Sequence, residues 1–280
     1  MNPKILVLVV SSDTYPSKRN KKIIDKTWVK NVPQNTKVYF YKAGNQTKLI
    51  NNNQIVLKVG KSTRDISKKN LLAFEYVLNN FDFDFLFRTT TTSYVNLENL
   101  NNFIIKINNR SEYLYCGKFM KTNDLEGNVC EFVSGAGILF NKKVIEQIVQ
   151  HNEKLDLRLW DDVGIGKLLG ELGVPRTEGN RSDIKGNIFK NKTNLNEYHY
   201  RCRIDNHYGY PRFLELYVIK YLDRYIKGIK VNKNVEKIFN IIFEISKILY
   251  IQYPILKLFD LVKKIMKYIL PDNTFQFLKL

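Results

Sequence analysis

Phe81-Asp-Phe-Asp-Phe-Leu-Phe-Arg-Thr-Thr-Thr-Thr-Ser-Tyr-Val-Asn-Leu97 is the stretch on which the fold turns. Within it, Asp84–Arg88 reads as a buried strand, because an apolar run of that length between polar flanks fits a covered sheet. Before it, Ser67–Phe81 has the spacing of an amphipathic helix, with Leu71, Leu72, Phe74, Tyr76, Val77, Leu78 and Phe81 on or near one face. Leu97–Ile107 after it reads as another helix. A buried strand between two helices is the unit of a parallel α/β sheet. Ligands of such sheets bind beyond the carboxyl ends of the strands, and Thr89–Thr92 stand at that place. Their hydroxyls suit a phosphate or a sugar; a plain polar strand end accounts for them equally well.

The same alternation extends outward. Strands are predicted at Ile5–Val10, Lys37–Tyr41, Ile55–Val59, Tyr113–Lys118 and Gly135–Phe140, the last after a glycine-rich turn. Helices are predicted at Asn20–Val29, Lys142–Gln150 and Val163–Leu172. The fold class is therefore α/β with a mainly parallel sheet flanked by helices, and no internal repeat is present. Near Pro211 the character changes, dividing the chain into residues 1–211 and a helix-periodic tail, 212–280. That tail carries 13 Lys and Arg against 6 Asp and Glu. In Ile255–Leu270, Lys257, Asp260, Lys263, Lys264 and Lys267 share a helical face against an apolar remainder. A basic amphipathic helix of this kind lies in an anionic lipid surface, or packs on protein with its lysines solvated.

Composition bounds the partners. The chain has 280 residues, is 44% hydrophobic and 26% charged, and carries a net charge of +18. Its core is ordinary, but the charge favours polyanions: nucleic acid, anionic lipid or phosphorylated substrates. No RNA- or DNA-binding signature accompanies it, so nucleic acid is not an expected partner. Cys116, Cys130 and Cys202 are odd in number and form no CxxC pair, which fits a reducing, cytoplasmic setting. Ile5–Val10 is too short for a signal sequence or a span, and no uninterrupted apolar stretch is long enough for a transmembrane helix.

Three further constellations carry polar chemistry. Phe132-Val-Ser-Gly-Ala-Gly-Ile-Leu-Phe140 offers small residues, Ser134, Gly135, Ala136 and Gly137, past which a ligand can approach backbone; a tight strand entry is the alternative. Trp160-Asp161-Asp162-Val-Gly-Ile-Gly166 puts two carboxylates at a helix start, suited either to capping or to general-base work. Glu197-Tyr-His-Tyr-Arg-Cys-Arg203, followed by Asp205-Asn-His207, interleaves aromatics with arginines, as a diphosphate site or an amphipathic strand would.

In their order along the chain these motifs resemble the β-1,3-galactosyltransferase and Fringe-like group of glycosyltransferases. That group has an Arg…Ile-Arg-x-Thr-Trp helix after its first strand, and here Arg19-Asn-Lys-Lys-Ile-Ile-Asp-Lys-Thr-Trp28 stands in its place. Its Lys-Thr-Asp-Asp-Asp-Val-Tyr-Val-Asn segment is matched by Arg88-Thr-Thr-Thr-Thr-Ser-Tyr-Val-Asn96. Ser134-Gly-Ala-Gly137 and Asp161-Asp-Val-Gly-Ile-Gly166 match the two later motifs. The resemblance spans residues 4–175. It implies a GT-A type, Rossmann-like domain with a C-terminal helical extension, an inverting transfer of a hexose from a nucleotide diphosphate donor, with UDP expected, and a glycan or lipid-linked acceptor. Ser11, Ser12, Asp13, Arg19 and Thr90–Thr92 would hold the donor with Ser134–Gly137, and Asp162, or else Asp161, would be the base.

One departure is plain. The family's acidic triplet holds a divalent metal, whereas Thr90, Thr91 and Thr92 occupy its positions. No metal ligand or other cofactor is therefore assigned, although Mn²⁺ is not ruled out. Arg88, His199, Arg201 and Arg203 are the expected donor contacts, with Arg181 and Lys185 as further cations. A donor of another phosphate type and a catalytically inactive sugar or nucleotide binder remain alternatives. So does, more distantly, a nucleic-acid-binding protein. The expected location is cytoplasmic and peripheral to a membrane.

Overall fold

A computed structural model describes residues 2–107, 112–184, 193–204 and 212–252. Ile5–Val10 form β1, fully apolar and buried along nearly its whole length. α1 (Ser17–Lys26) leads to β2 (Thr36–Gly44), then β3 (Lys48–Ile50) and β4 (Gln54–Lys58). After α2 (Ile66–Asn80) come β5 (Phe85–Thr90), the short β6 (Ser93–Val95) and α3 (Leu97–Ile107). β7 (Tyr115–Asn123) and β8 (Val129–Asn141) precede α4 (Lys142–Gln150) and α5 (Asp161–Glu171). Three strands of three residues follow, β9 (Arg176–Glu178), β10 (Arg181–Asp183) and β11 (His199–Arg201), and then α6 (Glu215–Ile226) and α7 (Lys233–Gln252).

The main sheet has eight strands in the order β3-β4-β2-β1-β5-β8-β7-β9. β4, β2, β1 and β5 run parallel, whereas β8 is antiparallel to β5 and to β7, so the sheet is mixed. A small second sheet has the order β10-β11-β6.

Helices cover both faces. Successive side chains of a strand point to opposite sides. In β2, Lys21 of α1 lies over the Phe40 ring at 4.1 Å, while the neighbouring Tyr41 donates its hydroxyl hydrogen to Asn70 of α2 at 2.5 Å. α1 and α2 therefore lie on opposite faces. On the α2 face one apolar cluster joins Leu6, Leu8 and Leu86 of the sheet to Phe74 and Val77 of α2, Ile145 and Ile148 of α4, and Leu168 of α5. Each fully buried side chain of this size contributes roughly 1.5–3 kcal/mol, which seats α2, α4 and α5 firmly against the strands. The result is an α/β domain with a large mixed sheet between helices, compatible with a Rossmann-like arrangement.

The structure corrects one reading of local conformation. The turn expected just before the strand Gly135–Phe140 is not there: β8 begins at Val129, runs through Ser134–Gly137 and pairs with an extended β7 as a hairpin. The reversal falls instead at Asp124–Asn128, where the Asp124 carboxylate accepts from the Glu126 and Asn128 backbone N–H groups and Gly127 adopts φ +88°. That left-handed conformation favours glycine.

By its internal contacts the chain forms two units, Met1–Ser182 with Asn196–Arg201, and Asp183–Leu195 with Cys202–Leu280. In the second, Tyr221 of α6 meets Phe239 of α7 edge-on at 4.6 Å between ring centroids, and Phe243 is buried beside it. Glu215, fully buried, holds the Arg212 guanidinium at 2.8 Å and accepts from the Ile204 backbone N–H. No described helix is long and apolar enough to cross a membrane. The expected helix at Ile255–Leu270, with Lys185, Asp205–His207 and Pro211, lies outside the described residues.

Candidate functional site

The site is assembled where the parallel strands end. β1 and β5 are neighbours in register, Val10 opposite Thr90, so the segments that follow them leave the sheet together. Ser17, at the start of α1, ties the two: its hydroxyl oxygen accepts from the Ser12 backbone N–H at 2.9 Å and from the Thr91 hydroxyl at 3.2 Å. Thr90 and Thr92 hydroxyls lie 2.9 Å apart, and the Thr92 N–H donates to Thr90 Oγ1. Ser11 is turned inward and donates to the Tyr41 carbonyl at 3.1 Å. Asp13 is exposed and paired with Lys42 at 2.8 Å. Arg19 is half-buried on α1, two residues beyond Ser17.

Strand alternation sends Arg88 to the α2 face, where it is buried in a full set of partners. Its Nη2 lies 2.5 Å from Asp161 Oδ2, its Nε donates to the Tyr41 hydroxyl at 3.3 Å, and its Nη1 donates to the Gly135 carbonyl. Asn70 closes the group: its side-chain oxygen accepts from Tyr41 and its amide donates to Asp161 Oδ2 at 2.7 Å. Burial works against a charged guanidinium here, but Asp161, Tyr41 and Asp162 together outweigh it and hold Arg88 protonated. The same burial pushes the Tyr41 hydroxyl up. Sequence reasoning expected Arg88 to face a donor phosphate. Each of its three nitrogens has a partner within the protein, and Arg88 organises the site from beneath.

Asp162, next to this pair, has a different environment. At the N-terminus of α5 its Oδ2 accepts from the Gly135 backbone N–H at 2.7 Å and its Oδ1 from the Val163 N–H at 3.1 Å. Burial, followed by the nearby Asp161 charge, raises its pKa above the ordinary carboxylate value; the Gly135 hydrogen bond and Arg88 work the other way. Gly135 thus joins the two acids through one peptide group, its N–H on Asp162 and its C=O on Arg88. A Cβ at this position would lie 3.0 Å from both Arg88 Nη1 and Asp162 Oδ2, which explains a glycine inside a strand.

The rest of the small-residue segment has other partners. The Ala136 carbonyl accepts from the Thr89 hydroxyl at 2.7 Å and the Ser93 hydroxyl at 3.3 Å. Ser134 is buried. Gly137 makes room for His199: a Cβ there would come within 2.3 Å of the imidazole. His199 is itself buried, its Nε2 lying 3.0 Å from Ser93 Oγ and its ring against Phe87. It is an internal brace between β6, β8 and β11 and not the donor contact the sequence suggested. Arg201 ends β11 opposite Ser93, half-buried. Arg203 is exposed and belongs to the second unit.

No family model matches the chain, and no curated protein matches it at a significant level.

The metal implied by the resemblance can be tested on these residues. Thr90–Thr92 offer neutral hydroxyls, already bonded to one another and to Ser17, where Mn²⁺ or Mg²⁺ calls for carboxylate oxygens. Among the described residues no group of three His, Cys, Asp or Glu side chains gathers to hold an ion. Thr90–Thr92 therefore do not fit a divalent cation.

Tyr41, Asn70 and Lys69 were not singled out from the sequence. Tyr41 carries the one signal that was available, a polar atom at the carboxyl end of a buried strand. Lys69 and Asn70 look like any polar residues of an amphipathic helix until α5 is packed against them. Away from this corner, a cavity of about 390 Å³ lies between the β7–β8 hairpin and α5. Its charges are matched internally, Lys167 with Asp124 at 3.0 Å and Arg176 with Glu131.

Proposed function

We propose that the protein is an inverting glycosyltransferase of the GT-A type, using a nucleotide diphosphate sugar, UDP-linked by resemblance, without a bound divalent metal. The observation that carries this reading is the division of labour between two adjacent acids at the end of the sheet. Asp161 is neutralised by Arg88 and Asn70, while Asp162 is oriented by Gly135 and raised in pKa by burial. A carboxyl raised by burial beside an ion-paired acid suits general-base work.

In this reading the donor lies over the ends of β1 and β5, against Ser12, Ser17 and Thr90–Thr92. Asp162 takes the proton of an acceptor hydroxyl. The acceptor oxygen forms its bond to the anomeric carbon as the bond to the donor diphosphate breaks, with inversion, and the nucleoside diphosphate departs. Its charge has to be met by side chains fixed in place beforehand. The acceptor is a glycan or a lipid-linked glycan. The basic, amphipathic sequence of Ile255–Leu270 supports work at an anionic membrane surface.

Calorimetric titration with UDP and GDP, each in Mn²⁺ and in EDTA, tests the reading. UDP binding that persists in EDTA is expected. Absence of binding to either nucleotide under both conditions would remove it, and would favour an inactive sugar-binding domain.

A further inference from the structure

We propose that Lys69, on the first turns of α2, is the diphosphate-binding cation of this site, standing in for the metal that Thr90–Thr92 do not hold. The inference rests on the glycosyltransferase reading and names the residue that would meet the donor's phosphates.

Four observations converge on it. Lys69 lies on the buried face of α2 with Asn70 and Ala73 and is only 7% exposed. Its neighbours bind the start of α5: Ser67 donates to the Leu159 carbonyl at 2.7 Å and Asn70 to Asp161. Among the described residues the Lys69 ammonium nevertheless has no hydrogen-bond or ion-pair partner. Asp65, one turn earlier, is not within ion-pair distance, and the acid that could have paired with it, Asp161, is taken by Arg88. Finally, the ammonium is not among the fully covered polar atoms, so it retains an opening to solvent.

An ammonium held this way is costly. Partial burial of a charge without a partner is unfavourable, and perturbed charges of this kind cluster at functional sites. Burial lowers the Lys69 pKa, as does Arg88, while Asp65 and Asp161 oppose the shift. The ammonium is thus close enough to Arg88 and Asp161 to feel both charges, which places it at the same corner as Asp162. A diphosphate reaching Thr90–Thr92 would give it the partner it lacks. Arg88 is already charge-paired with Asp161 and is buried beneath the site.

The test uses the full chain as wild type, Lys69→Met and Lys69→Arg, titrated in EDTA with inorganic pyrophosphate, UDP and uridine. Thermal unfolding is measured with and without pyrophosphate. Wild type is expected to bind pyrophosphate and UDP, and Lys69→Met to bind both about tenfold to a hundredfold more weakly, the range of a hydrogen bond to a charged group. Lys69→Arg should retain most of the affinity, and uridine should not distinguish the three. Lys69→Met should melt at or above the wild-type temperature, because an unpartnered buried charge is gone, and pyrophosphate should raise the melting temperature of wild type alone. Equal affinity of wild type and Lys69→Met for pyrophosphate would overturn the inference while leaving the glycosyltransferase reading in place. So would UDP binding that requires Mn²⁺, or a Lys69→Met protein that melts below wild type. A wild type that binds neither pyrophosphate nor UDP would overturn both.

Discussion

Arg88 and Asp161 meet at 2.5 Å, Nη2 to Oδ2, and both are buried. One comes from the end of a central strand and the other from the first turn of α5, so a single ion pair fixes where that helix begins and thereby where Asp162 stands.

Removing one partner of this pair should be costly. Arg88→Met leaves Asp161 charged and buried with only Asn70 to compensate it. A loss of about 3–5 kcal/mol in denaturant unfolding is expected. Arg88→Met combined with Asp161→Leu should recover a substantial part of it, because no orphaned charge remains. Equal losses in the single and double variants would show that the pair does not act as a unit.

Asp162 should trade stability for its charge. Its pKa is raised in the folded protein above the ordinary 3.8, mainly by burial. The stability this group contributes is therefore fully present below the unfolded value and is lost as pH rises through the folded value. Asp162→Asn keeps an oxygen for the Gly135 N–H and has no charge to bury. Its melting temperature should match wild type at low pH and equal or exceed it at neutral pH. A variant that falls progressively below wild type as pH rises would contradict the direction of the shift.

Much of this fold was legible in the sequence, and the reasons are local. β1 at Ile5–Val10 and the helices Leu97–Ile107 and Lys142–Gln150 were read with the bounds they have, because apolar runs and helical periodicity are properties of neighbouring residues. The acids at the start of α5 were visible for the same reason. The strand expected at Gly135–Phe140 begins earlier, at Val129, because the glycines that suggested a turn answer to side chains distant in sequence: Gly135 to Arg88 and Asp162, Gly137 to His199. The three-residue strands β9–β11 carry too few residues for a pattern. Arg88 and His199 look like ligand contacts on paper, and only Asp161, Gly135 and Ser93, far away in the chain, reveal them as internal.

Gly137→Ala tests that last point. The added methyl would come within 2.3 Å of the His199 ring, which is pinned between Ser93 and Phe87. A destabilisation of about 1–3 kcal/mol, typical of overpacking, is expected. Adding His199→Ala to Gly137→Ala should relieve part of it. A neutral Gly137→Ala would mean that the imidazole moves freely and braces nothing.

Membrane docking has its own test, cosedimentation with phosphatidylserine vesicles at low salt. The full chain should bind, and replacing Lys257, Lys263, Lys264 and Lys267 by Gln should release it, at about 1 kcal/mol per lysine near an anionic surface. Equal sedimentation of both proteins would assign the tail another role.

The most direct test of the central claim is nucleotide release from a panel of UDP-, GDP- and CMP-sugars in EDTA, by wild type and Asp162→Asn. The account expects wild type to release UDP from at least one UDP-sugar. Asp162→Asn should bind that sugar with similar affinity yet turn it over about 10²–10⁴-fold more slowly, the contribution of a positioned general base. Undiminished turnover by Asp162→Asn, or no release from any sugar by wild type, would contradict it.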